Sequence, residues 1–332
     1  MTSATPAARI PFTTFAIPVG LAGLAGAWGV GSTDLSLPRA LSETLWAITA
    51  ASWIWVIAAH IVRGRRSPDR FVDQLRNPTQ GPLAALLPLP GIFLGLHLTE
   101  YLPVAGAVIV IASILVSTLF AGWILSHWAS GGIALESVHG GYFLPTVAAG
   151  YVAATAAASI GLTGLSIGAF AVATLFWAIT LTILIVRIMV APALPVALTP
   201  TLAIVLAPPA VGGIAWFAIN DGSPDPIAQT LAALLVVFFV MQLGFLPRYA
   251  RLGFTIGFWS FTFPIAATAR YAMEWLGLTR PAGWQILDVL LLAVATLVIA
   301  AIAAYSLAHA RTSRNASRRA LTAESALADA AA

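Results

Sequence analysis

The chain has 332 residues, of which 60% are hydrophobic and 8% charged, and its net charge is +4. Soluble domains carry about 25% charged residues, so this composition excludes a water-soluble globular fold and describes a polytopic membrane protein. The absence of cysteine excludes disulfides, thiolate metal sites and cysteine nucleophiles. The 16 basic residues, all Arg, lie beside apolar segments and form no basic domain, so no nucleic-acid partner is expected.

Ten apolar segments follow one another, at about 13–31, 39–62, 82–99, 103–127, 142–161, 165–189, 200–219, 227–246, 252–276 and 283–309, each read against the ~20 residues that a bilayer crossing needs. Arg9 before an apolar run and Ala25-Gly26-Ala27 imitate a secretory signal, but the run holds Pro18 and extends to Val30, so it reads as a retained first span. The third segment is the shortest and holds Pro88 and Pro90. Arginine placement sets the orientation. With the N-terminus inside, the inner segments hold Arg9, Arg63, Arg65, Arg66, Arg70, Arg76, Arg187, Arg248, Arg251, Arg311, Arg314, Arg318 and Arg319, and the outer ones only Arg39 and Arg280. The expected protein is integral to a bacterial plasma (inner) membrane, with both termini cytoplasmic. Residues 1–12 form its short N-terminus, 13–309 its membrane domain and 310–332 an Arg-rich tail that is expected to be disordered or a frayed helix.

Prolines divide the segments into two sets. Odd-numbered ones carry an interior proline at Pro18, Pro88 and Pro90, Pro145, Pro208 and Pro209, and Pro264. Even-numbered ones carry none inside; Pro38, Pro103 and Pro226 stand at or before a first turn, where proline is tolerated. The odd segments are also rich in glycine and alanine, whereas the even ones carry bulk such as Trp53, Trp123 and Phe239. Backbone groups freed at a kink are tolerated in lipid only where protein or a water-filled cavity meets them. The expected fold is therefore all-α: ten helices as five hairpins, kinked odd helices in an inner ring round a central pore, and even helices outside. The plainer alternative is that prolines are simply common in membrane helices.

The ninth segment, Leu252 to Trp275, combines these features. At 100° per residue, Ile256, Ser260, Phe263, Ala267, Arg270 and Glu274 share one stripe. An ionisable residue inside a membrane span points to function. The stripe reads as a wall of an anion path with Phe263 as its plug, or else as a core aromatic beside an Arg270–Glu274 ion pair one turn apart. A cation at Arg270 would draw anions, and Glu274 would oppose it. His97 and Glu100 close the third segment and either form a proton-coupling site or stand wet at the interface. His127, Glu136 and His139 match no metal-ligand spacing, so no metal is assigned. Without lysine no phosphate-cradling G-x-x-x-x-G-K-[ST] motif exists, and no cofactor is expected.

The runs FTTFAIPVGLAGLAGAWG, GGYFLPTVAAGYVAA, AIVLAPPAVGGIAWFAIN and GFWSFTFPIAATARYAMEW occur in this order over residues 10–309. Together they resemble the tellurite-resistance/dicarboxylate transporter family, which includes bacterial tellurite-resistance membrane proteins, fungal malate permeases, sulfite efflux pumps and the slow-type anion channels of plant guard cells. The resemblance implies five hairpins round a pore, a gating phenylalanine that falls on Phe263, and a homotrimer with one pore per subunit, while the proline pattern places pore-lining kinks at Pro18, Pro90, Pro145, Pro208 and Pro264. It implies small inorganic or organic anions as cargo and a channel or transporter, not an enzyme. The alternative is a proton-coupled carrier of a C4-dicarboxylate or an oxyanion such as sulfite or tellurite. An intramembrane enzyme, the third reading, lacks a clustered acid, base or metal set.

Overall fold

A computed structural model describes residues 9–330, with side chains through Thr312. Most of the expected N-terminal segment, residues 1–8, and the last two residues lie outside the described part. The described residues are helical and joined by turns. A 3-10 turn at Phe12–Phe15 runs into α1 (Ala16–Asp34), and the long α2 (Arg39–Arg66) follows. A short α3 (Phe71–Arg76) leads to 3-10 residues Gly81–Leu86, α4 (Leu89–Leu98) and the long α5 (Pro103–Ala129). Next come 3-10 residues Gly140–Phe143, a π-helical turn Leu144–Ala148, α6 (Ala149–Ser159) and α7 (Thr163–Val190). Residues Thr199–Leu206 form another 3-10 stretch before α8 (Ala207–Ile219) and α9 (Pro226–Tyr249). A final 3-10 stretch, Ile256–Phe261, precedes α10 (Thr262–Thr279) and α11 (Trp284–Ala330).

The prolines act differently from the interior kinks expected of them. Pro90 and Pro208 are the second residues of α4 and α8, and Pro18 and Pro264 the third residues of α1 and α10. Pro145 is second in the π-helical turn before α6. A first-turn N–H has no partner within its own helix, so a proline there sacrifices nothing, and its fixed φ suits the helix. Four of the proline-bearing segments thus change from 3-10 to α geometry close to the proline, and the fifth does so through the π-helical turn. A second difference concerns α9: it runs further than expected and takes Pro247 into its last turn.

Eight helices among the described residues are long and apolar enough to cross a membrane. The expected spans at 142–161 and 252–276 are helical but fall outside that set. The first is divided among three helix types, and the second carries Arg270 and Glu274. The proline-bearing spans are buried over 61%, 67% and 83% of their apolar stretches, whereas the five long helices are buried over only 17–28% of theirs, which leaves the latter most of the apolar surface. The buried helices touch in cyclic order, α1 to α4, α4 to α6, α6 to α8, α8 to α10 and α10 to α1, and each packs on the long helix that follows it. Trp28 Nε1 donates to Thr296 Oγ1 at 3.1 Å and Trp259 Nε1 to Ser306 Oγ at 2.9 Å, which fixes the register of α11. The α11 backbone stays helical through Ala330, where the tail was expected to be disordered or a frayed helix.

Small residues permit the close approaches. Gly213 on α8 leaves room for the ring of Tyr271, which is fully buried and donates from its hydroxyl to the Ala228 carbonyl at 2.9 Å. A Cβ at 213 would collide with that ring, so Gly213→Ala is expected to destabilise the protein by ~1–3 kcal/mol, read as a lower unfolding temperature in detergent.

His139 caps the 3-10 turn at Gly140. Its Nδ1 accepts from the Gly141 N–H at 3.1 Å and its Nε2 donates to the Thr79 carbonyl at 3.1 Å, which defines a neutral ring. Burial, the larger cause, and the charge of Arg187 push it down from the usual 6.5 to about 4. Below pH 6.5 the unfolded chain takes up a proton that the folded chain refuses, so stability falls as pH drops from 6.5 towards 4. The unfolding temperature is expected to decline across this window, and His139→Gln to flatten the decline.

Candidate functional site

The first turn of α10 sets Phe263 between two narrow cavities. One, of about 40 Å³, is lined by Gly23, Phe93, Thr155, Ile214, Ala267 and Arg270 among others, so all five buried helices contribute to it. The other, of about 30 Å³, is lined by the opposite ends of the same five segments, including Thr13, Leu86, Leu144, Ile204 and Ser260. Phe263 is the single described residue that lines both. Its ring packs against Phe93, with centroids 5.7 Å apart at an interplanar angle of 52°. On the other side stands Gly23, where an added Cβ would lie 3.0 Å from the ring. Glycine on α1 therefore provides the space that the ring fills.

The first narrow cavity adjoins a wide vestibule of about 800 Å³, sharing Trp46, Phe93, Leu96 and Arg270 with it. The stripe read from the sequence is spread along this series. Ser260 lines the far cavity, Phe263 both narrow ones, Ala267 the near one, Arg270 the near one and the vestibule, and Glu274 the vestibule. Arg270 Nε donates to Glu274 Oε1 at 2.9 Å, so the ion pair exists, and both members also face the cavities. Arg270 Nη1 lies against Gly26, and Glu274 Oε2 is buried without a hydrogen-bond partner. The guanidinium is thus held by one nitrogen, on the approach to Phe263. Of the five prolines expected at the path, Pro264 alone lines one of these cavities; Pro18, Pro90, Pro145 and Pro208 are buried and line none of the three.

His97 and Glu100 do meet, with Nδ1 to Oε1 at 3.6 Å, but within a larger cluster. His97 Nε2 donates to Glu43 Oε2 at 2.9 Å. Tyr101 donates to Glu43 Oε1 at 2.7 Å, and Arg39 pairs with Glu43 at 3.0 Å and with Glu100. Hydrogen bonding to Glu43 raises the Tyr101 phenol above its usual range. The His97 ring stacks on Trp46, with centroids 4.8 Å apart, and Trp46 reaches the narrow cavity as well. Glu43, Trp46 and Phe93 are site residues that sequence reasoning missed. Arg39 and Glu43, four apart at the start of α2, carried the only local signal. Nothing in the spacing joins Glu43 to His97, which is 54 positions away.

Comparison with known proteins agrees with this architecture. The chain is 28% identical over 266 residues to the tellurite resistance protein TehA homolog of Haemophilus influenzae, covering 79% of this chain and 80% of that one. It is 23% identical to the S-type anion channel SLAH2 and 24% identical to SLAH3, both of Arabidopsis thaliana, over 92% and 91% of its own length. These matches cover 60% and 48% of the two plant channels. Residues 9–307, nearly the whole described chain, match the family profile SLAC1, described as voltage-dependent anion channel. The protein is thus an integral membrane protein that belongs to the SLAC1 voltage-dependent anion channel family.

Proposed function

We propose that this protein passes small anions along the axis of its five buried helices, and that Phe263 closes the path. The observation that carries this reading is the place of Phe263, which separates two narrow cavities to which all five buried helices contribute. An aromatic ring at a constriction repels hydrated ions by leaving them no polar contact. In this reading residues 13–309 form the conducting domain, ten spans in five hairpins with the buried helices round the pore. Both termini face the cytoplasm of a bacterial cell, the tail 310–332 lies against anionic lipid, and three copies assemble with one path each. The relatives named as anion channels support anions as cargo, and the tellurite-resistance name of the bacterial relative describes a phenotype from which no cargo follows. Arg270 is the one basic residue among the described residues that line the two narrow cavities, and elsewhere they offer backbone dipoles and hydroxyls such as Thr13 and Thr155. Such a path discriminates poorly among small anions.

The bond of His97 to Glu43 gives a specific footing to a second reading, a proton-coupled anion carrier. Liposome flux separates the two. Phe263→Ala removes the ring that closes the path, so passive anion flux should rise by on the order of tenfold or more. Silence of that variant towards every anion tested would end the gate assignment. Flux that appears only under an imposed pH gradient, and is lost in His97→Gln, would establish the carrier.

Arg270 supplies a further check. In Glu274→Gln the guanidinium loses its counter-charge, so anion flux through the Phe263→Ala background should rise several-fold at low salt and the gain should shrink as ionic strength increases. An unchanged rate at low salt would assign Arg270 and Glu274 a structural pairing alone.

A further inference from the structure

The contacts between α1 and α11 form a ladder with one rung per helical turn. Thr296 bonds Trp28, and one turn along, Leu292 stands 3.0 Å from the position of a Cβ on Gly31. One turn further brings Asp288 on α11 opposite Asp34 at the end of α1, since the helices are antiparallel and each step is four residues on one and three on the other. Asp288 is completely buried, and neither of its carboxylate oxygens has a hydrogen-bond partner. Asp34 is half-buried and lines the vestibule. The charged groups around the pair are few. Asp34 acts electrostatically on Asp288, and Arg280, in the turn between α10 and α11, acts on Asp34. On α10 the residue against Asp34 is Gly277, and Glu274, one turn away, is engaged with Arg270.

An ionised carboxylate without a partner, in an apolar setting and beside a second carboxylate, is costly enough that it normally neutralises or gains a cation. Asp288 is completely buried and lines none of the three cavities, a setting in which a proton, which needs no space of its own, is the simplest neutralising partner. We propose that Asp288 and Asp34 form a proton-binding carboxyl pair that exchanges with the vestibule through Asp34. A proton from vestibule water bonds to one carboxylate oxygen and neutralises that group beside the charge of the other; no other bond changes. The pair is separate from Phe263 and from the His97 cluster, and it stands whether or not the anion-path reading does. It also ties the packing of α11 on α1 to the acidity of the vestibule.

Infrared spectroscopy of the full-length protein in lipid nanodiscs tests this without any flux measurement. Between about pH 5 and 9, where an ordinary aspartate is ionised, the wild type should show a protonated-carboxyl C=O band that fades as pH rises. Asp288→Asn should abolish that band, and its unfolding temperature should lack the decline with rising pH expected of the wild type. Asp34→Asn removes the neighbouring charge, so the band should persist and fade at a lower pH. A band unaffected by Asp288→Asn overturns the proposal, as does the absence of any such band in the wild type. If Asp288→Asn does not fold, Asp34→Asn decides alone: an unmoved midpoint overturns the pair.

Discussion

A backbone N–H or C=O in the middle of a bilayer has no water to bond, so every departure from regular α-helix must be enclosed by other protein. This protein makes five such departures, one in each proline-bearing segment, and encloses them against one another. Three pass directly from 3-10 to α geometry, one does so across the turn Leu87–Pro88, and the fifth through the π-helical turn. The buried helices meet in closed cyclic order, and the long α2, α5, α7, α9 and α11 present apolar side chains outward. The division of labour between buried and covering helices follows from that one requirement.

The same arrangement defines the site. Where five irregular segments converge, side chains decide whether the space between them is filled or open. Gly23 withdraws, Phe93 advances, and Phe263 occupies what remains. In the adjoining narrow cavity Arg270 is the one basic residue among the described lining residues, and it pairs with Glu274.

Much of this was legible in the sequence because it is periodic. The proline alternation separated the buried from the covering helices, and the 100° stripe from Ser260 to Glu274 does run along the cavity series. What stayed hidden depends on chain crossings that no local pattern records. Glu43 meets His97 only because α2 and α4 pack together, and the burial of Asp288 follows only from the packing of α11 on its neighbours. The role of the prolines was misjudged for a local reason. Sequence marks where an N–H is missing, but not whether the residues before it continue as α-helix or tighten to 3-10.

That tightening has a geometric consequence. A 3-10 stretch rises about 2.0 Å per residue against about 1.5 Å in an α-helix, so the six residues Gly81–Leu86 advance about 12 Å where an α-helix would advance about 9 Å. The shortest buried span, 18 residues from Gly81 to Leu98, therefore stretches to about 30 Å, the thickness of a typical hydrocarbon layer. Overwinding one third of its residues lets a segment too brief for an ordinary helix match the membrane without thinning it.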